Sequence, residues 1–520
     1  MRAGPPRGRG ATAAAPPRAV TVARRTYLAV AACALLVYVG ALWNRWAWDD
    51  VPIIVYNPLL LSARAFGSAF VSSYWPPQMG GGLYRPLPIV TYALDLRLGT
   101  VAWFHAVNLL WHAGVSVAVA TLARRWSGDR AGLIAGVLFA VHPLHVEAVA
   151  NIVGRAELMA ALFAVLAVYA ALARDALGWS LAALAGGLLS KENAAVVPGL
   201  IVWGWVVGLA RPSRRRMAVW VAGWASLAVA YLGVRFAVLA PFERVLSIAP
   251  VFVGASPLEI RLTAVAALAD VARLLVFPLT LRVDYSPAER TIVTSVLDPR
   301  VAAGLACVAL WGVLLARAWR RGETVEAFGL GWIAIALLPV ANLVLPIGVL
   351  VAERTLYLPS VGLALAVGAW LPHVAPRRWP AILALVAVAG GVRTAVRVPV
   401  WRDDGHVIWS ELRDSPRSVD GPARMVTVYL NAHQPTKALD AFRVAAAIYD
   451  RLPWLYVRGA DAAFVAGRPA VADSALGRLE ALCRGCDYYY RFEAVAARAR
   501  GDSTAAAALL SRLPPHAAPR

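Results

Sequence analysis

Charged side chains are scarce in this 520-residue chain: Asp, Glu, Lys and Arg make up 16% of it, against 60% hydrophobic residues. That deficit, with a mean hydropathy of +0.62, excludes one large soluble core and predicts an all-α polytopic membrane protein. Cysteine is scarce too, and the four present say little about redox compartment. Cys33 and Cys307 fall inside apolar runs and read as packed thiols. Cys483 and Cys486 form a single C-x-x-C, which without a second ligand pair is weak support for zinc and suits a local disulfide if that segment lies outside the cytoplasm. Acids are fewer than bases, leaving a net charge of +21. Such an excess can signal nucleic acid, but here the arginines sit in short clusters between apolar runs, so no nucleic-acid partner is expected.

The start, residues 1–25, is rich in Pro, Ala, Gly and Arg without a helical period and predicts a disordered cytoplasmic N-terminus. Tyr27 to Leu42 has a "VGA" that resembles a cleavage site, but the many spans that follow favour an uncleaved anchor. Further apolar runs lie at roughly 101–122, 131–150, 157–173, 177–190, 193–210, 217–239, 301–319, 327–346, 355–372 and 379–396. Most are long enough to cross about 30 Å of hydrocarbon, and the shorter ones can pair as hairpins. Arginines cluster at the N-terminus, at Arg124 and Arg125, Arg174, Arg211 to Arg216, Arg317 to Arg321, and Arg377 and Arg378. Placing all of these in the cytoplasm gives eleven spans, an N-terminus inside and a C-terminus outside. The run from Leu258 to Val283 would break that parity. It carries Arg261, Asp270, Arg273 and Arg282 and reads as an interfacial or re-entrant helix on the outer side.

Polar residues then sort by side. Asp49, Asp50, Arg85, His142, His145, Glu147, Arg155, Lys191, Glu192, Glu353 and Arg354 all fall at outer span ends or in outer loops. An ionisable group at membrane depth costs about 2.5–3.5 kcal/mol on insertion scales. A one-sided set of them predicts a shared polar cavity, although any single residue could be an interfacial anchor or half of a structural ion pair. In "HPLHVE", His142 and His145 share a helical face near Glu147, but the spacing is loose for zinc and the proline breaks the turn. Polar lining of the cavity is the expectation there, ahead of metal ligation or packing.

From Val398 the apolar runs give way to Pro, Asp and Arg, and a repeat emerges. "HQP" at His433, "GRP" at Gly467 and "GDS" at Gly501 recur every 34 residues, each followed at one offset by Ala438, Ala472 and Ala506. A turn before a helix, with Ala at the tight crossing, matches tetratricopeptide helical hairpins. The expected organisation is a membrane domain over 26–397 and an extracytoplasmic repeat domain over 398–520. Repeats of this kind suggest a protein partner, and the tail shows no clustered acids or phosphate-binding residues, so it is expected not to be needed for chemistry.

The segments "WDD", "YRPLPIVTYALD", "FAVHPLHVEAVANIVGRAEL", "LLSKENAAVVP", "LLVFPLTLRVDYS" and "LPIGVLVAERTLYLPSVG" resemble, in order, signature segments of the transmembrane and tetratricopeptide-repeat O-mannosyltransferase family and its bacterial relatives. The resemblance runs from about Ala41 to Val367. It implies a GT-C glycosyltransferase that takes a sugar from a polyprenyl-phosphate donor, on the outer or lumenal face of a membrane, and passes it to a protein hydroxyl. The chain departs from animal members in its short, degenerate repeats and its Arg- and Ala-rich, bacterial-looking composition, which points to a bacterial inner membrane. By match to the family's motif, Asp49 and Asp50 are the catalytic pair, with Asp49 favoured as base and Asp50 as its orienting partner. The alternative is that Asp49 caps a loop helix. Arg85, Arg155, Lys191 and Arg354 are candidates for the donor phosphate; His142, His145, Glu147, Glu192 and Glu353 are expected to line the cavity. Some GT-C enzymes use a divalent cation and others none, so the cofactor stays open.

Three other readings fit parts of the pattern. A GT-C enzyme acting on a lipid or envelope glycan differs only in acceptor. A transporter predicts inverted repeats among the spans, and none is seen; a membrane-anchored scaffold would leave the one-sided acids without a role.

Overall fold

The computed structural model describes residues 17–512 except 63, 78–80, 243–247, 277, 485 and 500. Every regular element among the described residues is helical, so the chain is an all-α polytopic membrane protein. The expectation of disorder through residue 25 needs correction. Residues 1–16 lie outside the described part, but α1 runs Pro17–Tyr38. The helix continues without a break into the apolar run.

The bundle then comprises α2 (Pro86–Leu98), α3 (Val101–Ala140), α4 (Arg155–Arg174), α5 (Leu177–Leu188), α6 (Val197–Val206), α7 (Arg214–Leu239), α8 (Pro257–Val276), α9 (Pro299–Arg320), α10 (Thr324–Leu337), α11 (Tyr357–Val374) and α12 (Trp379–Arg397). Among the described residues seven helices, Thr21–Trp43, Val101–Ala140, Ile152–Arg174, Arg214–Leu239, Pro299–Arg320, Glu353–Val374 and Trp379–Trp401, are long and apolar enough to cross a membrane. One of them holds two of the expected spans. Within α3, Gly128 has φ 80° and ψ −176°, a left-handed turn that suits glycine. Beyond it the chain doubles back, since a Cβ on Gly132 would meet Arg124 and the Ala120 carbonyl, and one on Gly136 would meet Ala120. The short pair α5 and α6 also forms a hairpin. The Ser180 hydroxyl of α5 donates to the Ala167 carbonyl of α4 at 2.9 Å, Gly187 lies against Ala160, and Gly204 of α6 lies against Leu172.

These pairings give the bundle two different ends. Gly368, late in α11, packs on Ala131 and Ala135 beside the Gly128 turn; Arg216 bonds Asp175 at 3.0 Å; Trp203 meets Trp319 at 5.6 Å. The arginine-rich turns therefore gather at one end, and the acids, histidines and Lys191 occupy the other. Helices α4 and α11 are central, with 67% and 72% of their apolar windows buried, whereas α7 and α9 bury 11% and 17% and turn apolar faces outward. Helix α8 stays with the polar end on both flanks. Before it, the Pro250 carbonyl accepts from the Tyr449 hydroxyl at 2.6 Å; at its close the Leu275 carbonyl lies 2.9 Å from His142 Nε2.

The tail contains α13 (Asp404–Asp414), α14 (Asp420–Asn431), α15 (Pro435–Ile448), α16 (Pro453–Val465), α17 (Pro469–Cys483), α18 (Asp487–Ala499) and α19 (Ser503–Leu510). Helices α14 to α19 form three hairpins with one shared turn. His433, Gly467 and Gly501 have φ of 55°, 65° and 84°. The next N–H in each reaches back five residues: Gln434 to Tyr429, Arg468 to Ala463 and Asp502 to Ala497, at 2.8, 2.8 and 2.9 Å. Such a left-handed cap satisfies helix carbonyls that would otherwise be orphaned. Ala438, Ala472 and Ala506 are each fully buried. The domain boundary moves from 398 to about Val419. Val398, Trp401 and Val407 pack into the membrane-domain core with Ala41 and Ala47, and the solenoid core begins at Val419. Cys483 and Cys486 are joined as a disulfide.

Candidate active site

After α1 a 3-10 turn, Val39–Trp43, leads into the acid loop, and a π turn, Val51–Val55, closes it. The two acids of that loop have different surroundings. Asp50 is fully buried and its oxygens are occupied: Oδ2 accepts from the Ala47 N–H at 3.1 Å and Oδ1 from the Val153 N–H at 2.9 Å. Burial pushes its pKa up to about 7 against those two donors. Asp50 thus ties the first loop to the turn that precedes α4. The Asp49 side chain is half-buried, and among the described residues no hydrogen bond or ion pair engages it. Burial raises its pKa, opposed by the positive charges of Arg354, Arg424 and Arg85 and reinforced by Glu147. A carboxylate left free among three guanidinium groups can accept a proton; one wrapped in backbone N–H groups holds a loop.

The candidate phosphate ligands divide similarly. Arg354 is held by Glu147, whose Oε2 accepts the Arg354 backbone N–H at 2.8 Å and whose Oε1 pairs with the guanidinium. Glu147 is 1% exposed while Arg354 keeps 35%, so the pair presents the cation outward. Arg85 forks onto Glu192, Nε to Oε2 at 3.0 Å and Nη2 to Oε1 at 2.6 Å. Burial alone would raise Glu192, but the fork brings it down to about 2. Lys191 pairs with Glu157, which also accepts from Asn193 Nδ2 at 2.9 Å. Burial lowers the lysine's pKa, with Glu157 opposing. Arg85 and Arg354 both lie within electrostatic reach of Lys191.

Arg155 does not join them. It is 0% exposed and donates to Asn108 Oδ1 at 2.7 Å, Thr91 Oγ1 at 3.1 Å, the Phe104 carbonyl at 3.0 Å and Asp95. A guanidinium so committed binds protein, not phosphate. Its partner Asp95, at the end of "YRPLPIVTYALD", had no signal in the sequence beyond an acid on an apolar helix.

The histidines also need correction, because they pack instead of lining a cavity. His145 is fully buried, with Nε2 2.8 Å from the Ser360 hydroxyl and its ring 4.4 and 4.5 Å from Phe139 and Tyr357. His142 gives Nε2 to the Leu275 carbonyl and accepts the Leu144 N–H on Nδ1 at 3.3 Å. Among the described residues no three His, Cys, Asp or Glu side chains gather as a metal-binding set. Glu353 is buried and accepts from the Arg282 N–H at 2.6 Å and the Tyr285 hydroxyl at 2.8 Å, which pins the segment after α8 to the start of α11. A groove of about 690 Å³ lies between the 250–259 loop and the end of α15, and a second of about 490 Å³ lies beside α8. Neither contains Asp49.

The tail is closer to the acids than the sequence suggested. Arg424 of α14 stacks on Trp48 with its guanidinium carbon 3.4 Å from the ring centre, and Asp404 accepts the Trp48 N–H at 2.6 Å. Asp420 and Glu411 sit near Asp284, where burial pushes Asp284 and Asp420 upward and Asp420 raises Asp284 further. The expectation of a tail without clustered acids fails for its first two helices.

No protein-family model matches the chain. Several curated proteins do. Protein O-mannosyl-transferase TMTC3 of Mus musculus is 29% identical over 379 residues, covering 65% of this chain and 41% of its own length. Protein O-mannosyl-transferase TMTC4 of Homo sapiens is 27% identical over 476 residues, covering 75% of this chain and 62% of its own. The chain is similar to TMTC protein O-mannosyl-transferases over 65% and 75% of its length in these two cases. Over a shorter stretch of 149 residues, TMTC1 of Homo sapiens reaches 36% identity, covering 27% of this chain and 17% of its own. The chain thus spans 41% and 62% of the length of the first two relatives.

Proposed function

We propose that the chain transfers a hexose, mannose by analogy with the names of its relatives, from a polyprenyl-phosphate donor to a Ser or Thr hydroxyl of an extracytoplasmic protein. The observation that carries this reading is the free Asp49 carboxylate facing Arg354 and Arg85. An acceptor hydroxyl hydrogen-bonded to Asp49 would attack the anomeric carbon as its proton passes to the carboxylate. The bond from that carbon to the phosphate oxygen breaks, and polyprenyl phosphate leaves with the electron pair, inverting the anomeric centre. Phosphate departs without a general acid, so the single free carboxylate suffices, unlike the two needed in a glycosidase. Arg354, Arg85 and Lys191, each backed by a glutamate, would receive the negative charge on the leaving phosphate. No step is assigned to a metal. Asp50 orients the loop, and the later hairpins of the solenoid engage the acceptor.

Synthetic polyprenyl-phosphate [³H]mannose added to membranes containing the protein tests the reaction. Label should enter the protein fraction and be released by β-elimination. Label confined to lipid or envelope glycan would favour the alternative acceptor class. The proposal also places the arginine-rich end in the cytoplasm of a bacterial inner membrane and the repeats outside. Alkaline phosphatase fused after Arg520 should then be active and a fluorescent protein that folds only in the cytoplasm dark; the reverse pattern would invert the topology.

A further inference from the structure

Trp48, immediately before Asp49, has φ 58°, a left-handed conformation uncommon for so bulky a side chain and found where surrounding structure over-determines it. Here the surroundings come from beyond the last membrane helix. Asp404 accepts the Trp48 N–H at 2.6 Å, the Arg402 carbonyl accepts the Arg45 N–H at 2.7 Å, and Arg424 covers the indole face at 3.4 Å. Arg424 is not locked into a structural pair as Arg155 is. Its Nε stands 3.7 Å from Glu411 Oε2, and among the described residues neither that nitrogen nor either Glu411 oxygen has a hydrogen-bond partner.

We infer that Arg424, on the first helix of the solenoid, is a positioning residue for the transfer reaction, clamping Trp48 so that the next carboxylate points toward the acceptor. The inference rests on Asp49 being the base. Asp49 is faced by Arg354, Arg85 and Glu147 from the membrane domain and by Arg424 from the tail, with Asp50 beside it. Arg424 is faced in turn by Glu411 and Asp420. The solenoid would then be coupled to chemistry through one cation–π contact, so that its docking on the membrane domain completes the site.

The test is the pH dependence of [³H]mannose transfer from polyprenyl-phosphate mannose to host membrane proteins, using the full chain in detergent. A base must be deprotonated to act, so rate rises with pH through its pKa, and a nearby positive charge holds that pKa down. Arg424→Gln should move the acid limb to higher pH by on the order of one unit and lower the rate at optimum roughly ten-fold as the loop loses its clamp. Arg424→Lys keeps the charge but not the planar stack, and should leave the limb in place while losing rate. A wild-type acid limb in Arg424→Gln would overturn the inference. So would a wild-type rate in Arg424→Lys, the variant that decides the matter if the glutamine protein does not accumulate. Turnover retained by Asp49→Asn would instead remove the base assignment itself, whatever Arg424 does.

Discussion

Asp49→Asn should abolish sugar transfer while leaving membrane insertion and donor binding intact. The substitution keeps the size of the side chain and removes the proton acceptor, so a general-base role implies a loss on the order of 10² to 10⁴ in rate. The structure makes that loss separable from misfolding. Among the described residues no hydrogen bond or ion pair engages the Asp49 side chain, so an amide there strands no partner. Asp50→Asn makes the useful comparison. Asp50 accepts N–H groups from Ala47 and Val153, and an amide can accept only through its one oxygen, so the tie between the first loop and α4 should loosen. Its effect should appear as lowered thermal stability with a smaller fall in turnover. The comparison needs purified protein, polyprenyl-phosphate mannose and a separate donor-binding measurement. Near-normal turnover in both variants would reduce the pair to a loop cap and move the search for a base to Glu147 or Glu353.

How much of this was legible in the sequence depends on whether a signal was local. The apolar runs were, and each expected span has a helix in the bundle, including the two folded into α3. Arg124 and Arg125 marked that turn, whereas the left-handed Gly128 that makes it looked like any glycine in "SGDRAG". The repeat was legible because Ala438, Ala472 and Ala506 recur at one spacing and the residues at 433, 467 and 501 share one backbone conformation. Its starting point was not. Trp401 and Val407 read as tail because Asp and Arg surround them, yet they belong to the same buried cluster as Ala41 and Ala47, far back along the chain. The same limit applied within the site. The paired acids stood out at a membrane boundary, but the environments that separate Asp49 from Asp50 are made by Val153, Arg354 and Arg424. Composition could place His142 and His145 at the outer end without showing that Ser360 and Leu275 had engaged them.

Arg155 is where sequence and structure part most sharply, and replacing it should have the larger effect on folding. As a phosphate ligand it would be dispensable for stability, and Arg155→Met would raise the donor concentration needed for turnover. The structure points the other way. Among the described residues Asp95 stays behind in that variant with only Trp103 Nε1, at 3.1 Å, donating to its carboxylate, and Asn108 and Phe104 lose the donors they accept from. Removing one partner of a buried pair typically costs about 3–5 kcal/mol because the other charge is left uncompensated, a large fraction of the stability of an ordinary domain. Arg155→Met should therefore accumulate poorly and lose its monodisperse elution in detergent, while the fraction that does insert binds polyprenyl phosphate normally. Replacing both partners, Arg155→Met with Asp95→Leu, should recover much of the lost stability, since an apolar pair of similar volume leaves no buried charge behind. A stable Arg155→Met protein that fails to bind polyprenyl phosphate would return Arg155 to the donor site and open the bundle around α2 and α4 to the lipid.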